Sequence, residues 1–126
     1  MFGRLLLHVL AALAIVAALT LVGPGVYEAQ ARSVCSGRPV KRLGLPMGEL
    51  RIYKKRHYAC ALTVIKKPGR PRAAFVSLQP RGGRAAVDSG RFARQAGPVT
   101  VHALNRCIRV SGSVGGRTVS TGWVLC

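Results

Sequence analysis

Beyond residue 32 the chain is a series of short runs rich in β-branched and apolar residues, each cut by glycine or proline, with almost no signal for a helix. Proline removes a backbone donor and glycine loosens the chain, so runs this short favour strands joined by turns over helices. The spacing predicts strands at Val40 to Leu45, Leu50 to Lys55, Tyr58 to Ile65, Ala74 to Gln79, Val99 to Leu104, Cys107 to Ser111 and Thr118 to Leu125. Turns are expected at Pro46-Met47-Gly48, Pro68-Gly69, Gly82-Gly83, Gly97-Pro98 and Gly115-Gly116. Period-two alternation orients the strands. Leu50 and Ile52 oppose Arg51 and Tyr53, while Cys60, Leu62 and Val64 form one row and Val99, Val101 and Ala103 another, both expected to face a shared core. The fold class expected is all-β: a small antiparallel β-sandwich or partly closed β-barrel, with no internal repeat and no second domain. Its few large aromatic rings, Phe75, Phe92 and Trp123, are expected in the core, where they supply much of the burial available to a small domain. Gly112, Gly115, Gly116 and Gly122 read as turns and bulges, because no helix start follows them that could cradle a phosphate.

The N-terminal segment is of another kind. Arg4 precedes an apolar stretch from Leu5 to Val22, Gly23-Pro24-Gly25 breaks any helix, and Ala29-Gln30-Ala31 offers small residues where a signal peptidase reads them. Residues 1–31 are therefore expected to form a signal peptide with a helical apolar part, leaving residues 32–126 as a single secreted β domain with no stable membrane span. The competing reading is an uncleaved anchor, since the apolar stretch sits at the lower edge of what crosses a bilayer.

Cysteine usage agrees with export. Cys35, Cys60, Cys107 and Cys126 all lie beyond the apolar segment, and their even number suits a disulfide framework outside the cytosol. Three pairings are possible; sequence proximity favours Cys35 with Cys60 and Cys107 with Cys126. A zinc site is disfavoured because no C-x2-C or H-x3-H pair brings two ligands together locally. No metal or cofactor is expected.

Charge narrows the function classes. The chain has 20 Lys and Arg against 3 Asp and Glu, a formal charge of +17, so chemistry that needs paired carboxylates or a carboxylate-rich metal cage lacks its ligands. A field of this sign steers the protein toward anionic partners whatever its fold. The local candidates for polyanion contact are Lys54, Lys55 and Arg56, followed by His57 and flanked by Tyr53 and Tyr58, together with Lys66, Lys67, Arg70 and Arg72. Cations neutralise phosphates and aromatics stack on bases or sugars, but the repeated stacking rings of a single-strand binder are missing. Nucleic acid is thus compatible with the charge without being singled out by it. An enzyme reading would be a small basic ribonuclease using Glu49, His57 or His102, and an arginine as acid, base and phosphate cation. A Ser/His/Asp reading through Asp88 is weaker, with no G-x-S-x-G elbow present. The expectation is a protein that binds and does not catalyse.

Several segments resemble a known family. Asp88-Ser89-Gly90-Arg91-Phe92, Ala96-Gly97-Pro98-Val99, Arg106-Cys107-Ile108, Gly112-Ser113-Val114-Gly115 and Gly122-Trp123 before Cys126 are similar to the spore-associated protein A family of Streptomyces and related actinobacteria. Upstream, Val34-Cys35 and Ala59-Cys60-Ala61-Leu62-Thr63-Val64 resemble the segments around that family's first two cysteines. The resemblance implies a small exported protein found with spores or the cell surface, with no established enzymatic activity, and it carries over no catalytic residue. With the charge, the expected partners are anionic cell-wall or spore-surface polymers. The alternative is a secreted cationic antimicrobial or membrane-perturbing protein, which should display a contiguous apolar face beside the basic one.

Overall fold

The computed structural model describes Cys35 and residues 37–126; the expected signal segment and its cleavage point lie outside the described residues. The chain forms eight strands: β1 (Lys41–Leu45), β2 (Gly48–Lys54), β3 (Tyr58–Ile65), β4 (Arg72–Pro80), β5 (Ala86–Phe92), β6 (Gln95–His102), β7 (Ile108–Val114) and β8 (Arg117–Ser120). They pair into two antiparallel four-stranded sheets, ordered β1-β2-β3-β6 and β5-β4-β7-β8. The domain is a disulfide-stapled β-sandwich, and no helix among the described residues is long and apolar enough to cross a membrane.

The core lies between the sheets. Leu50, Ile52, Ala59, Ala61 and Ile65 of the first sheet face Val76, Leu78, Ile108, Val110 and Val114 of the second. Burying each larger aliphatic chain contributes about 1.5–3 kcal/mol. Thr63 is the polar exception, and its Oγ1 donates a 3.0 Å hydrogen bond to the Phe75 carbonyl across the sandwich. That contact stands beside a register shift between β3 and β6 at Ala61/Thr63. Bridges join Cys35 to Cys60 and Cys107 to Cys126, the pairing that sequence proximity favours.

Several local expectations need correction. The row Cys60, Leu62 and Val64 does not face the shared core; with Tyr53 and Cys35 it makes a separate small cluster on the outer face of the first sheet. The core row of β3 is Ala59, Ala61, Thr63 and Ile65. Gly97-Pro98 is no turn but lies within β6, joined by a cis peptide. Gly112 is likewise inside β7, where a Cβ would collide with Thr63 Oγ1 and meet Leu50 Cδ1 at 3.0 Å. β5 was not among the expected strands, and the last strand is shorter than expected, Val124 returning only as an isolated bridge to Ile108. Of the three aromatic rings expected inside, Phe92 is half-buried and packs on the main cluster. Phe75 is half-buried on the outer face of the second sheet, because it alternates with the buried Ala74 and Val76. Trp123 is on the surface, 37% exposed.

One lateral edge of the sandwich is stitched by a side chain. Asp88 of β5 accepts a 2.8 Å hydrogen bond from the Gly97 amide of β6, across the gap between the two sheets. At the far end of the second sheet, β7 and β8 are joined by Gly115 and Gly116, both with positive φ, as a two-residue hairpin turn requires.

Candidate polyanion interface

Because β2 and β3 are antiparallel, the loop that joins them and the loop that leaves β3 lie at opposite ends of the sandwich. Lys54, Lys55 and Arg56 therefore sit at one end, and Lys66, Lys67, Arg70 and Arg72 at the other. The eight residues of β3 separate them by about 25 Å. The seven candidate cations do not form one patch.

At the first end Lys54 is engaged: its Nζ donates to the Ala103 carbonyl at 2.9 Å. The Ala103 amide in turn donates to the His57 carbonyl at 2.8 Å, which docks the β2–β3 loop on the end of β6. Lys55, Arg56 and His57 are exposed. His57 stacks on His102 with centroids 6.3 Å apart, and Tyr58 meets His102 edge-on at 5.4 Å. The same end carries a group that sequence reasoning missed. The Trp123 ring lies 4.7 Å from the Arg109 guanidinium and 5.7 Å from that of Arg81. Arg109 is held in place by donating to Gln79 Oε1 at 2.8 Å, and Gln79 by donating to the Gly83 carbonyl at 3.1 Å. The alternation of β7 signalled that Arg109 points outward, but nothing local to Gly122-Trp123 showed that the ring follows it.

At the other end Lys66, Lys67 and Arg70 are exposed, while Arg72 is half-buried and points its Nη1 at Met47 Sδ, 3.6 Å away. Pro46, Met47, Lys66, Lys67 and Arg72 line a cleft of about 300 Å³. Its size suits a small anionic group, and its wall supplies three cations.

Neither acid of the described residues neutralises these ends. Glu49 pairs with Arg51 of its own strand at 3.1 Å, the one ion pair among the described residues, and Asp88 is held by the Gly97 amide. The same placement separates the acid and the imidazole that the ribonuclease reading named. Glu49 lies near the start of β2 and His57 beyond its end, so the acid and the imidazole are most of a strand apart. The histidines do meet each other, with no carboxylate of the described residues hydrogen-bonded to either. Asp88 lies at the sheet edges, its carboxylate taken by the Gly97 amide. All four cysteines are consumed by bridges, and no group of three His, Cys, Asp or Glu that could hold a metal ion occurs among the described residues.

Compared with family models, curated proteins and solved structures, the chain matches none.

Proposed function

We propose that this is an exported, non-catalytic protein of the spore or cell surface, of the spore-associated protein A type, held there by electrostatic contact with anionic wall or spore-coat polymers. The observation that carries the reading is the imbalance of charge. Both described acids are committed to structural contacts, while clusters of exposed lysine and arginine occupy both ends of the sandwich. Two disulfides are compatible with an extracellular protein. The test is partition of the secreted protein between medium and isolated spores or walls. Retention at low salt and release well above physiological ionic strength, where such contacts are screened, are expected; retention indifferent to salt would overturn the electrostatic reading.

A second reading is a membrane-active cationic protein. It is favoured by exposed Tyr58, Leu104 and Trp123 in or beside the loops that carry Lys55, Arg56, Arg81 and Arg106, since aromatic and basic groups side by side suit a lipid headgroup boundary. Leakage of anionic vesicles at low protein concentration would favour this reading, and intact vesicles would count against it.

A further inference from the structure

The outer face of the second sheet is neither apolar nor simply charged. Phe75 stands on the central strand β4, and its cross-strand neighbours are Ser89 on β5 and Ser113 on β7. Both are small, so neither covers the half-buried ring from the side. Thr118 on β8 lies beside Ser113, and Arg91 occupies the next outward position along β5. Together these side chains line a shallow trough of about 490 Å³. Arg91 is steadied at its rim by donating from Nη2 to the Pro71 carbonyl at 3.3 Å.

Beyond the trough the face continues in hydroxyls. Ser77, Ser111 and Ser120 form the next cross-strand row, with the exposed Val87 of β5 at its edge, and Gln79 with Arg109 the one after it. The distance from Phe75 to that last row is about 14 Å, four strand residues. No acid of the described residues opens onto this face, because Asp88 pairs in register with the buried Val76 and so belongs to the inner side of β5, and Glu49 lies on β2 of the other sheet.

We propose that this face binds an acidic polysaccharide strand. A pyranose ring has one apolar side of C–H bonds that packs on an aromatic ring, and Phe75 offers a half-buried ring lining the trough. Ser113 is buried, but Ser89, Thr118 and Ser120 are exposed and Ser77 and Ser111 half-buried, donors and acceptors matched to sugar hydroxyls. Arg91 at one end and Arg109 at the other fit carboxylates spaced along the polymer. A polyphosphate has the charge but no ring or hydroxyl to use the floor of the trough. The proposal rests on the reading of the protein as a polyanion binder and names the polymer class for this one face.

The discriminating pair of probes is polygalacturonate and linear polyphosphate of similar charge, each titrated against the purified folded protein at the same salt. Phe75→Leu keeps an apolar side chain of similar bulk and removes the ring. It is expected to weaken polygalacturonate binding about fivefold and to leave polyphosphate binding unchanged, whereas Arg91→Gln, which removes a cation, should weaken both polymers and polygalacturonate more. Lys66→Gln combined with Lys67→Gln should weaken both polymers. Where Phe75→Leu lowers the melting temperature, Ser89→Val, which replaces an exposed hydroxyl by methyl groups on the edge strand β5, supplies the same comparison from a neighbouring position. Equal affinity for the two polymers, with Phe75→Leu and Ser89→Val altering neither, would overturn the saccharide site while leaving the polyanion reading standing. No binding of either polymer at low salt would overturn both.

Discussion

Gly112 is the residue on which the spacing between the sheets turns. It sits in the interior of a central strand, where glycine normally weakens pairing, and it is there because Thr63 reaches across the core toward the Phe75 carbonyl and Leu50 packs alongside. A methyl group at this position must displace either the hydroxyl or the leucine. Overpacking of this kind costs about 1–3 kcal/mol, so Gly112→Ala should lower Tm by about 5–15 °C in a domain of this size. Gly44 is the control: it lies in the edge strand β1 with open space around it and no left-handed φ, and Gly44→Ala should leave Tm within a degree or two, about the few tenths of a kcal/mol usual for surface changes. Thermal unfolding followed by circular dichroism distinguishes them, and equal melting temperatures for the two variants would show that the sandwich relaxes around the added methyl.

At the scale of elements, the two disulfides do different work. Cys60 lies within β3, so the Cys35 bridge pins the segment before β1 over Tyr53 and Leu62. The Cys107–Cys126 bridge closes the C-terminal segment over the start of β7, next to the Ile108–Val124 pairing and the ring of Trp123. Each closes a loop short enough to contribute about 3 kcal/mol by restricting the unfolded chain. Trp123 is the single tryptophan of the chain, so it reports on one bridge only. Replacing Cys107 and Cys126 by serine should increase acrylamide quenching of its fluorescence, while far-ultraviolet circular dichroism stays that of the intact sandwich. Replacing Cys35 and Cys60 should leave the quenching unchanged and lower the urea midpoint. The strands that alternation identified are those with one polar face, such as β2 through Leu50 and Ile52 and β6 through Val99 and Val101. β3 is apolar on both faces, so its alternation could not say which row was the core. β5 escaped because Asp88 and Gly90 fill its middle inward positions, between Ala86 and Phe92, as an edge strand tolerates. Gly97-Pro98 read as a turn because these residues usually punctuate, yet β6 is an edge strand of its sheet, where a proline without an amide hydrogen breaks no ladder. The candidate cations were legible one by one from the sequence, but their division between two ends was not, since it follows from the direction of β3. The saccharide trough was hidden for the same kind of reason: Ser89, Phe75, Ser113 and Thr118 become neighbours only through pairing of four strands.

For the whole molecule, the separation of the cationic ends sets what it can do to a polymer. About 25 Å is several Debye lengths at physiological salt, about 8 Å each, so the Lys55–Arg56 end and the Lys66–Arg70 end engage anions independently. A protein with two such ends can bridge separate strands as well as coat one. Mixed with a linear polyphosphate well below charge neutralisation, the protein should produce light scattering that grows with protein concentration and dissolves when salt is raised. Neutralising one end, with Lys66, Lys67 and Arg70 all replaced by glutamine, should leave a protein that still binds the polymer, with affinity reduced in line with the lost cations, but that scatters far less. The matching variant at the other end, Lys55→Gln with Arg56→Gln, should behave alike, although Arg81, Arg84 and Arg106 remain nearby and make its loss smaller. If scattering instead tracks the number of cations removed, regardless of the end they come from, bridging by opposed ends is wrong and simple neutralisation accounts for the effect. If it collapses with either end, the charge of this sandwich is organised for cross-linking, and a surface layer built from it would be held together by the protein as much as the protein is held by the layer.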